Sequence, residues 1–159
     1  MKQKFKIDSD FRIVSGGQTG ADVAGLDWAL EHKVAHGGWC PKGRKTEEGP
    51  LPLKYELTET PSEGYLQRTE WNIRDSDATL IFTLMDTIDG GSSRTAVFAG
   101  KHGKPHLHMR PGVHPECISK FLHENKVRIL NIAGKRESAA PGIWQFVKDT
   151  LDAVLVQAD

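Results

Sequence analysis

Short apolar runs and amphipathic stretches alternate along this chain from Phe11 onward. Phe11–Val14, Val34–Trp39, Ala78–Leu84, Pro105–Met109 and Val127–Ile132 are brief, β-prone and bounded by turn formers, which predicts strands. The stretches between them predict helices over Ala21–His32, Ser62–Asp75, Ser93–His102, Pro115–Glu124 and Gly142–Val156. The last has the plainest pattern: Ile143, Val147, Leu151, Val154 and Leu155 share one face at helical spacing. Thr60-Pro61-Ser62-Glu63 has the form of a capping box with proline in the first turn, which sets a helix start there. Strands that alternate with helices pair in parallel through right-handed crossovers, and strands apolar along their length are covered on both faces. The fold predicted is α/β: a doubly wound three-layer sandwich with a mostly parallel sheet of about five or more strands.

The alternation lapses over Cys40–Thr60, where Pro41, Pro50 and Pro52 interrupt a charged stretch. A loop of that length inside a domain points to a functional or mobile segment. No linker, repeat or low-complexity tract divides the chain, so residues 1–159 read as one domain with a core over about 11–156. Charge narrows the class of partner. With 21 basic and 21 acidic residues the formal net charge is zero, so no overall field favours nucleic acid or an acidic membrane. A charged ligand must then be held by a local site. Only Cys40 and Cys117 occur, which argues against a disulfide scaffold and fits a reducing cytoplasm. The basic start, Met1 to Lys6, is followed by no apolar signal core, and no run approaches the roughly 20 apolar residues of a bilayer span. The expectation is a cytoplasmic protein that binds neither membrane nor nucleic acid.

Candidate chemistry begins where the first strand ends. Ser15-Gly16-Gly17-Gln18-Thr19-Gly20-Ala21-Asp22 joins that strand to a helix through three glycines, an arrangement whose amides and helix dipole face an anion. Glycine lets a phosphate approach the backbone, so a valine at Gly17 is expected to block it with the fold left intact. Neither G-x-G-x-x-G nor G-x-x-x-x-G-K-[ST] is present. A second glycine turn, Gly90-Gly91-Ser92-Ser93-Arg94-Thr95, follows the strand Ala78–Leu84; its hydroxyls and Arg94 suit phosphate oxygens. Two such turns share one crevice if their strands are neighbours. Arg68 has the reach for a phosphate or a planar ring, and Lys42–Arg44 is placed to close over either. Glu70 and Arg74 stand four apart, as in a surface ion pair, while Leu66, Thr69 and Ile73 fall on one helical face.

Other residues carry less. His102, His106, His108 and His114 lack acidic or thiol partners at ligand spacing and read as structural or surface histidines, so no metal site is expected. Cys40, in Gly37-Gly38-Trp39-Cys40-Pro41, reads as a buried inert thiol because no Cys-His arrangement accompanies it. No G-x-S-x-G elbow and no carboxylate pair is visible, so no catalytic residue is assigned.

These segments, with Leu26-Asp27-Trp28-Ala29, Trp39-Cys40-Pro41-Lys42-Gly43-Arg44, Tyr65-Leu66-Gln67-Arg68-Thr69-Glu70-Trp71-Asn72 and Gly103-Lys104-Pro105, resemble the family called putative molybdenum carrier proteins. That family sits within a Rossmann-like superfamily that also holds the lysine-decarboxylase-like phosphoribohydrolases. The resemblance runs from about Phe11 to Leu155. It implies a Rossmann-like fold and homo-oligomers, with a tetramer fitting the family. It also implies binding of molybdenum cofactor (molybdopterin) without conversion, and partners among molybdoenzymes and cofactor-synthesis proteins. The cofactor's phosphate would lie on the glycine loops and its metal on its own dithiolene sulfurs.

The phosphoribohydrolase relatives carry Pro-Gly-Gly-x-Gly-Thr-x-x-Glu. Here the turn reads Asp89-Gly90-Gly91-Ser92-Ser93-Arg94-Thr95-Ala96-Val97-Phe98, without the proline, the third glycine or the glutamate. The resemblance therefore favours a binding protein over an enzyme. Two alternatives stay open: a hydrolase of N-glycosidic bonds in which Glu70 or Asp22 substitutes, and a sensor of a nucleotide or ADP-ribose-like ligand.

Overall fold

A computed structural model describes residues 4–158 of the chain. In chain order the elements are β1 (Phe5–Ile7), β2 (Arg12–Ser15), α1 (Ala21–Glu31), β3 (Ala35–Gly37), β4 (Trp39–Cys40), β5 (Lys45–Thr46), β6 (Gly49–Pro50) and β7 (Thr58–Glu59). The second half contains α2 (Tyr65–Arg74), β8 (Ala78–Phe82), α3 (Gly90–Lys101), β9 (His106–Met109), α4 (Glu116–Glu124), β10 (Ile129–Gly134), α5 (Ile143–Val154) and β11 (Leu155–Gln157).

Five strands form the central sheet in the order β3-β2-β10-β8-β9, and every neighbouring pair is parallel. The most apolar strand, Ala78-Thr79-Leu80-Ile81-Phe82, is buried along its whole length beside the central β10. The shorter β3 and β9, with their histidines, take the two edges. β10 is the last of the five in the chain yet lies in the middle. Counted as though β10 came first, the order becomes 3-2-1-4-5, that of a doubly wound nucleotide-binding sheet. From the centre the chain steps outward twice, from β2 to β3 and from β8 to β9, in opposite directions. Right-handed crossovers then place α1 and α3 on opposite faces. α1 packs on α5 and α5 on α4 in one layer, and α2 packs on α3 in the other.

The core on the α1, α4 and α5 face joins Ile13, Leu80, Phe82, Leu130 and Ile132 of the sheet to Trp28, Ile118, Leu122, Ile143, Val147 and Leu151 of those helices. Trp28 is buried to the ring nitrogen, which donates to Asp152 Oδ1 at 2.8 Å and ties α1 to α5. A smaller cluster of Leu26, Cys40, Leu51 and Tyr55 seats the Cys40–Thr60 segment on the other side of α1. That segment is ordered by three devices. β4 pairs with β7, β5 pairs with β6, and the Arg44 guanidinium donates to the carbonyls of Leu51, Pro52, Tyr55 and Leu57.

Element boundaries differ from the sequence reading in instructive places. α5 stops at Val154, and Leu155 turns extended to pair β11 in parallel with β1, a strand the local pattern does not reveal. α2 begins at Tyr65 instead of Ser62, with no side-chain cap. The expected capping box is a turn in which Thr60 Oγ1 donates to Ser62 O and Gln67 Oε1 accepts from the Ser62 amide. Within α2, Asn72 and Ile73 are buried while Leu66 is exposed, so Leu66 leaves the apolar face assigned to it. The predicted strand Val34–Trp39 breaks at Gly38, whose φ of 121° opens a gap between β3 and β4.

Candidate functional site

The carboxyl ends of β2, β10 and β8 open on the same edge of the sheet, beside the point where the two outward walks diverge. The strands that carry the two glycine turns are not neighbours, because β10 lies between them. Its exit, Ala133-Gly134-Lys135-Arg136, forms a third wall. Together the three make a crevice of about 370 Å³. Gln18 and Asp22 line it from the first turn, and Tyr65, Leu66, Arg68 and Thr69 from α2. α3 adds Gly90, Gly91, Ser92, Arg94 and Thr95.

Glycines of the first turn let the other walls come close. A Cβ at Gly16 would meet Arg68 Cδ at 2.6 Å and Cζ at 2.9 Å. At Gly20 a Cβ would meet the Lys135 carbonyl at 2.5 Å and the Glu137 amide nitrogen at 2.6 Å. Gly17 faces away from the crevice. Its Cβ would strike Leu51 Cδ2 at 2.8 Å and Leu57 Cδ2 at 3.1 Å, and its φ is +77°. The expectation that a side chain at Gly17 blocks a phosphate while sparing the fold is therefore corrected; Gly17 serves packing and the turn.

The second turn is no loop. Gly90, at φ +53°, is the first residue of the 12-residue helix α3, three residues earlier than Ser93. Asp89 caps it through its carbonyl, which accepts from the Ser92 and Ser93 amides. The Asp89 carboxylate instead pairs with Lys135. The leading amides of a helix have no intrahelical acceptor, so those of Gly90 and Gly91 present positive dipole at the crevice.

On the floor, Asp22 Oδ2 accepts from Arg68 Nη1 at 3.1 Å and from the Gln18 amide at 3.2 Å. Burial raises the Asp22 carboxyl above the usual aspartate range, against the pull of Arg68 and the Gln18 amide. Gln18 Nε2 donates to Lys45 O at 2.8 Å, which leaves Oε1 an acceptor. Gln18 Oε1, Arg68 Nε and Ser92 Oγ are buried and have no hydrogen-bond partner among the described residues. All three belong to residues that line this crevice. Buried polar atoms without partners are rare and costly, and these three are all carried by residues of the one crevice.

The rim is cationic. Arg94 is exposed and makes no ion pair among the described residues, while Arg136 stands 3.9 Å from Glu47. Lys45, Arg68 and Arg136 surround the Tyr65 ring at 5.2, 5.7 and 6.0 Å from its centroid. Glu47, at the tip of the β5–β6 hairpin, accepts from Thr19 Oγ1 and Ser138 Oγ and so fastens the hairpin across two walls. Those two hydroxyls hold its carboxyl below the usual glutamate range.

The remaining candidates lie apart from the crevice. Thr19 faces the hairpin, Ser93 is exposed on the outer side of α3, and Lys42 is exposed beside Ser62. Arg44 is committed to four carbonyls within its own segment. Glu70 binds Lys101 and His102 at 2.7 Å each, not Arg74, which pairs with Asp75. His108 shares a 2.6 Å hydrogen bond with Thr83 Oγ1. Cys40 is buried, and that burial pushes its thiol up. Among the described residues no group of three or more His, Cys, Asp or Glu is placed to hold a metal ion. No helix there is long and apolar enough to cross a membrane.

Sequence reasoning missed Tyr65, Lys135 and Arg136 as lining residues. A signal for the last two existed: a glycine followed by two cations at the exit of a predicted strand repeats the logic applied to the other turns. Tyr65 had none, because its place depends on where α2 begins.

A sequence model of the circularly permutated YpsA SLOG family matches residues 13–155. The crystal structure of a protein described as "Putative molybdenum carrier protein", from Syntrophus aciditrophicus SB, superposes with a TM-score of 0.91. The two sequences are 40% identical, over 97% of this chain and 98% of that one. A structure of (E)-4-hydroxy-3-methyl-but-2-enyl diphosphate reductase matches at 12% identity and a TM-score of 0.41, over 91% of this chain and 59% of that one. No curated protein matches the chain. The family's description names a circular permutation, and in this chain the central β10 is the last of the five sheet strands in sequence. On this match and that of the Syntrophus protein, the chain belongs to the circularly permutated YpsA SLOG family.

Proposed function

We propose that this protein binds a phosphorylated heterocycle, a pterin phosphate such as molybdenum cofactor or a nucleotide, and does not convert it. The observation that carries the reading is that three buried, unpartnered polar atoms, Gln18 Oε1, Arg68 Nε and Ser92 Oγ, belong to residues lining one crevice. α3's leading amides, Ser92 and Arg94 suit a phosphate, and Lys135 steadies the helix start through Asp89. Gly16 and Gly20 serve by admitting Arg68 and the β10 exit. The name of the Syntrophus protein supports a molybdenum-related cargo.

The residues present fit such a cargo. The donors of the crevice are amides, hydroxyls and cations, which suit a phosphate and the edge of a pterin. A metal carried by that ligand would stay on the ligand's own sulfurs. On this reading the partners are enzymes that make or use the cofactor, and the protein works as a homo-oligomer. Native mass spectrometry of protein purified from its own host tests the proposal. A retained phosphorylated pterin or nucleotide is expected, and its identity separates a carrier from a nucleotide sensor. Protein that retains neither, and takes up neither when they are added, contradicts it.

Asp22 favours a second reading. A carboxyl raised by burial and facing a ligand crevice is the kind of group that acts as a general acid. Glu70, tied to Lys101 and His102, does not line the crevice. A hydrolase would therefore use Asp22 to protonate the departing base of a nucleoside monophosphate while water takes its place on the sugar, giving free base and ribose 5-phosphate. Base release abolished by Asp22→Asn would establish that reading over the first.

A further inference from the structure

We infer that Tyr65 is the ring-selecting face of the crevice, stacking on the planar heterocycle of a ligand whose phosphate lies at α3 and Arg94. The inference rests on the phosphorylated-ligand reading above. The chain's two tyrosines have different settings. Tyr55 is buried with Leu26, Cys40 and Leu51, and its hydroxyl donates to Asp27 Oδ1 at 2.6 Å. That is a structural residue. Tyr65 is half-buried at the first position of α2, lines the crevice, and has no aromatic neighbour or hydroxyl hydrogen bond among the described residues.

Three cations gather at the Tyr65 ring from three separate segments: Lys45 from the hairpin, Arg68 from α2 and Arg136 from the β10 exit. Like charges repel, and the carboxylates at hand, Asp22 and Glu47, reach only Arg68 and Arg136. An electron-rich ring bearing a phosphate answers both conditions. Its π-face meets Tyr65 and the flanking guanidinium groups, and its anion offsets the surplus positive charge. Gln18 and Arg68 of the crevice also carry a buried acceptor, Gln18 Oε1, and a buried donor, Arg68 Nε, without partners, the group types that a heterocycle's edge would need. A sugar phosphate offers the anion but neither the π-face nor the edge.

The test is calorimetric binding of three probes: 6-hydroxymethylpterin phosphate, GMP and ribose 5-phosphate. Each is titrated into the wild-type protein, Tyr65→Leu and Tyr65→Phe. Tyr65→Leu should weaken the ring-bearing probes by roughly tenfold and leave ribose 5-phosphate within about twofold, since stacking acts only on a ring. Tyr65→Phe keeps the ring and should hold all three near wild type. The stronger of the two ring-bearing probes identifies the source of the heterocycle. Loss of all three probes together in Tyr65→Leu, or loss of none, overturns the assignment of Tyr65 while wild-type binding upholds the ligand reading. Failure of wild-type protein to bind any probe overturns both. Thermal melting of each variant confirms that the fold is intact.

Discussion

The contact between Gly16 and Arg68 gives a perturbation that replaces neither member of the buried Arg68–Asp22 ion pair. Gly16 lies outside the left-handed region of φ, so its backbone accepts alanine. The added Cβ would fall on Arg68 Nη1 and within 2.6 Å of Cδ, and the guanidinium must move. That motion breaks the 3.1 Å bond from Arg68 Nη1 to Asp22 Oδ2 and leaves a buried carboxylate without its cation. Removing one partner of a buried pair costs about 3–5 kcal/mol when the other stays charged. Asp22 can instead take up a proton, and from an ordinary pKa near 3.9 this costs at most about 4 kcal/mol at pH 7 and about 1.5 at pH 5. Burial has already raised the Asp22 pKa in the wild-type protein, so part of that cost is present before the change.

Adding about 1 kcal/mol for the lost hydrogen bond, Gly16→Ala should destabilise by no more than about 5 kcal/mol at pH 7 and about 2.5 at pH 5, less the part already present. The sign follows from the direction of the shift. A carboxyl whose folded pKa is raised binds more protons folded than unfolded, so stability falls as pH rises above the unfolded pKa. Urea unfolding at the two pH values measures the effect, alone and in an Arg68→Ala background. With no guanidinium to displace, Gly16→Ala should change stability by less than about 0.5 kcal/mol there. An equal loss in both backgrounds, or a loss that does not grow with pH, would show that Gly16→Ala does not act through the Arg68–Asp22 pair.

Three further outcomes are expected. Gly17→Val should destabilise by roughly 1–3 kcal/mol, through its positive φ and its collision with Leu51 and Leu57, as a lowered urea midpoint would show. Arg44→Ala removes the donor to four carbonyls and should open residues 40–60 to limited proteolysis, at a cost of about 2 kcal/mol or more. Glu47 has a depressed pKa, so its stabilisation is present above the ordinary glutamate pKa and is lost as pH falls through the depressed value. Glu47→Gln should flatten that acid limb of a stability–pH profile, and an unchanged limb would exclude Glu47 as its source.

The layered α/β fold was legible because its signals are local. The apolar run at Ala78–Phe82 and the spacing of Ile143, Val147 and Leu151 carry their own periodicity. The strand order was not, since β10 sits between β2 and β8 through pairings such as Leu130 with Ile13 and Ile132 with Leu80. The pairing of Phe5 with Leu155 is invisible for the same reason. Glycine's low helix propensity hid the true start of α3, where Asp89 O holds the Ser92 and Ser93 amides and settles the turn. Both glycine turns, Arg68 and Arg94 were readable as candidate residues. Arg44 was misread because a cation in a charged loop looks free until its four acceptors are placed.

On the proposed function, one crevice binds the phosphate of a heterocyclic ligand through Ser92, Arg94 and the first turn of α3. Calorimetric titration of 6-hydroxymethylpterin phosphate, its dephosphorylated form and GMP into wild-type protein and Ser92→Ala/Arg94→Gln tests it most directly. Wild-type protein should bind at least one of the two phosphorylated probes and bind the dephosphorylated pterin at least tenfold more weakly than its phosphate, by roughly 1.4 kcal/mol or more. The double variant should lose that preference for phosphate. Equal affinity for the pterin with and without phosphate, or a phosphate preference that survives the double substitution, would contradict it.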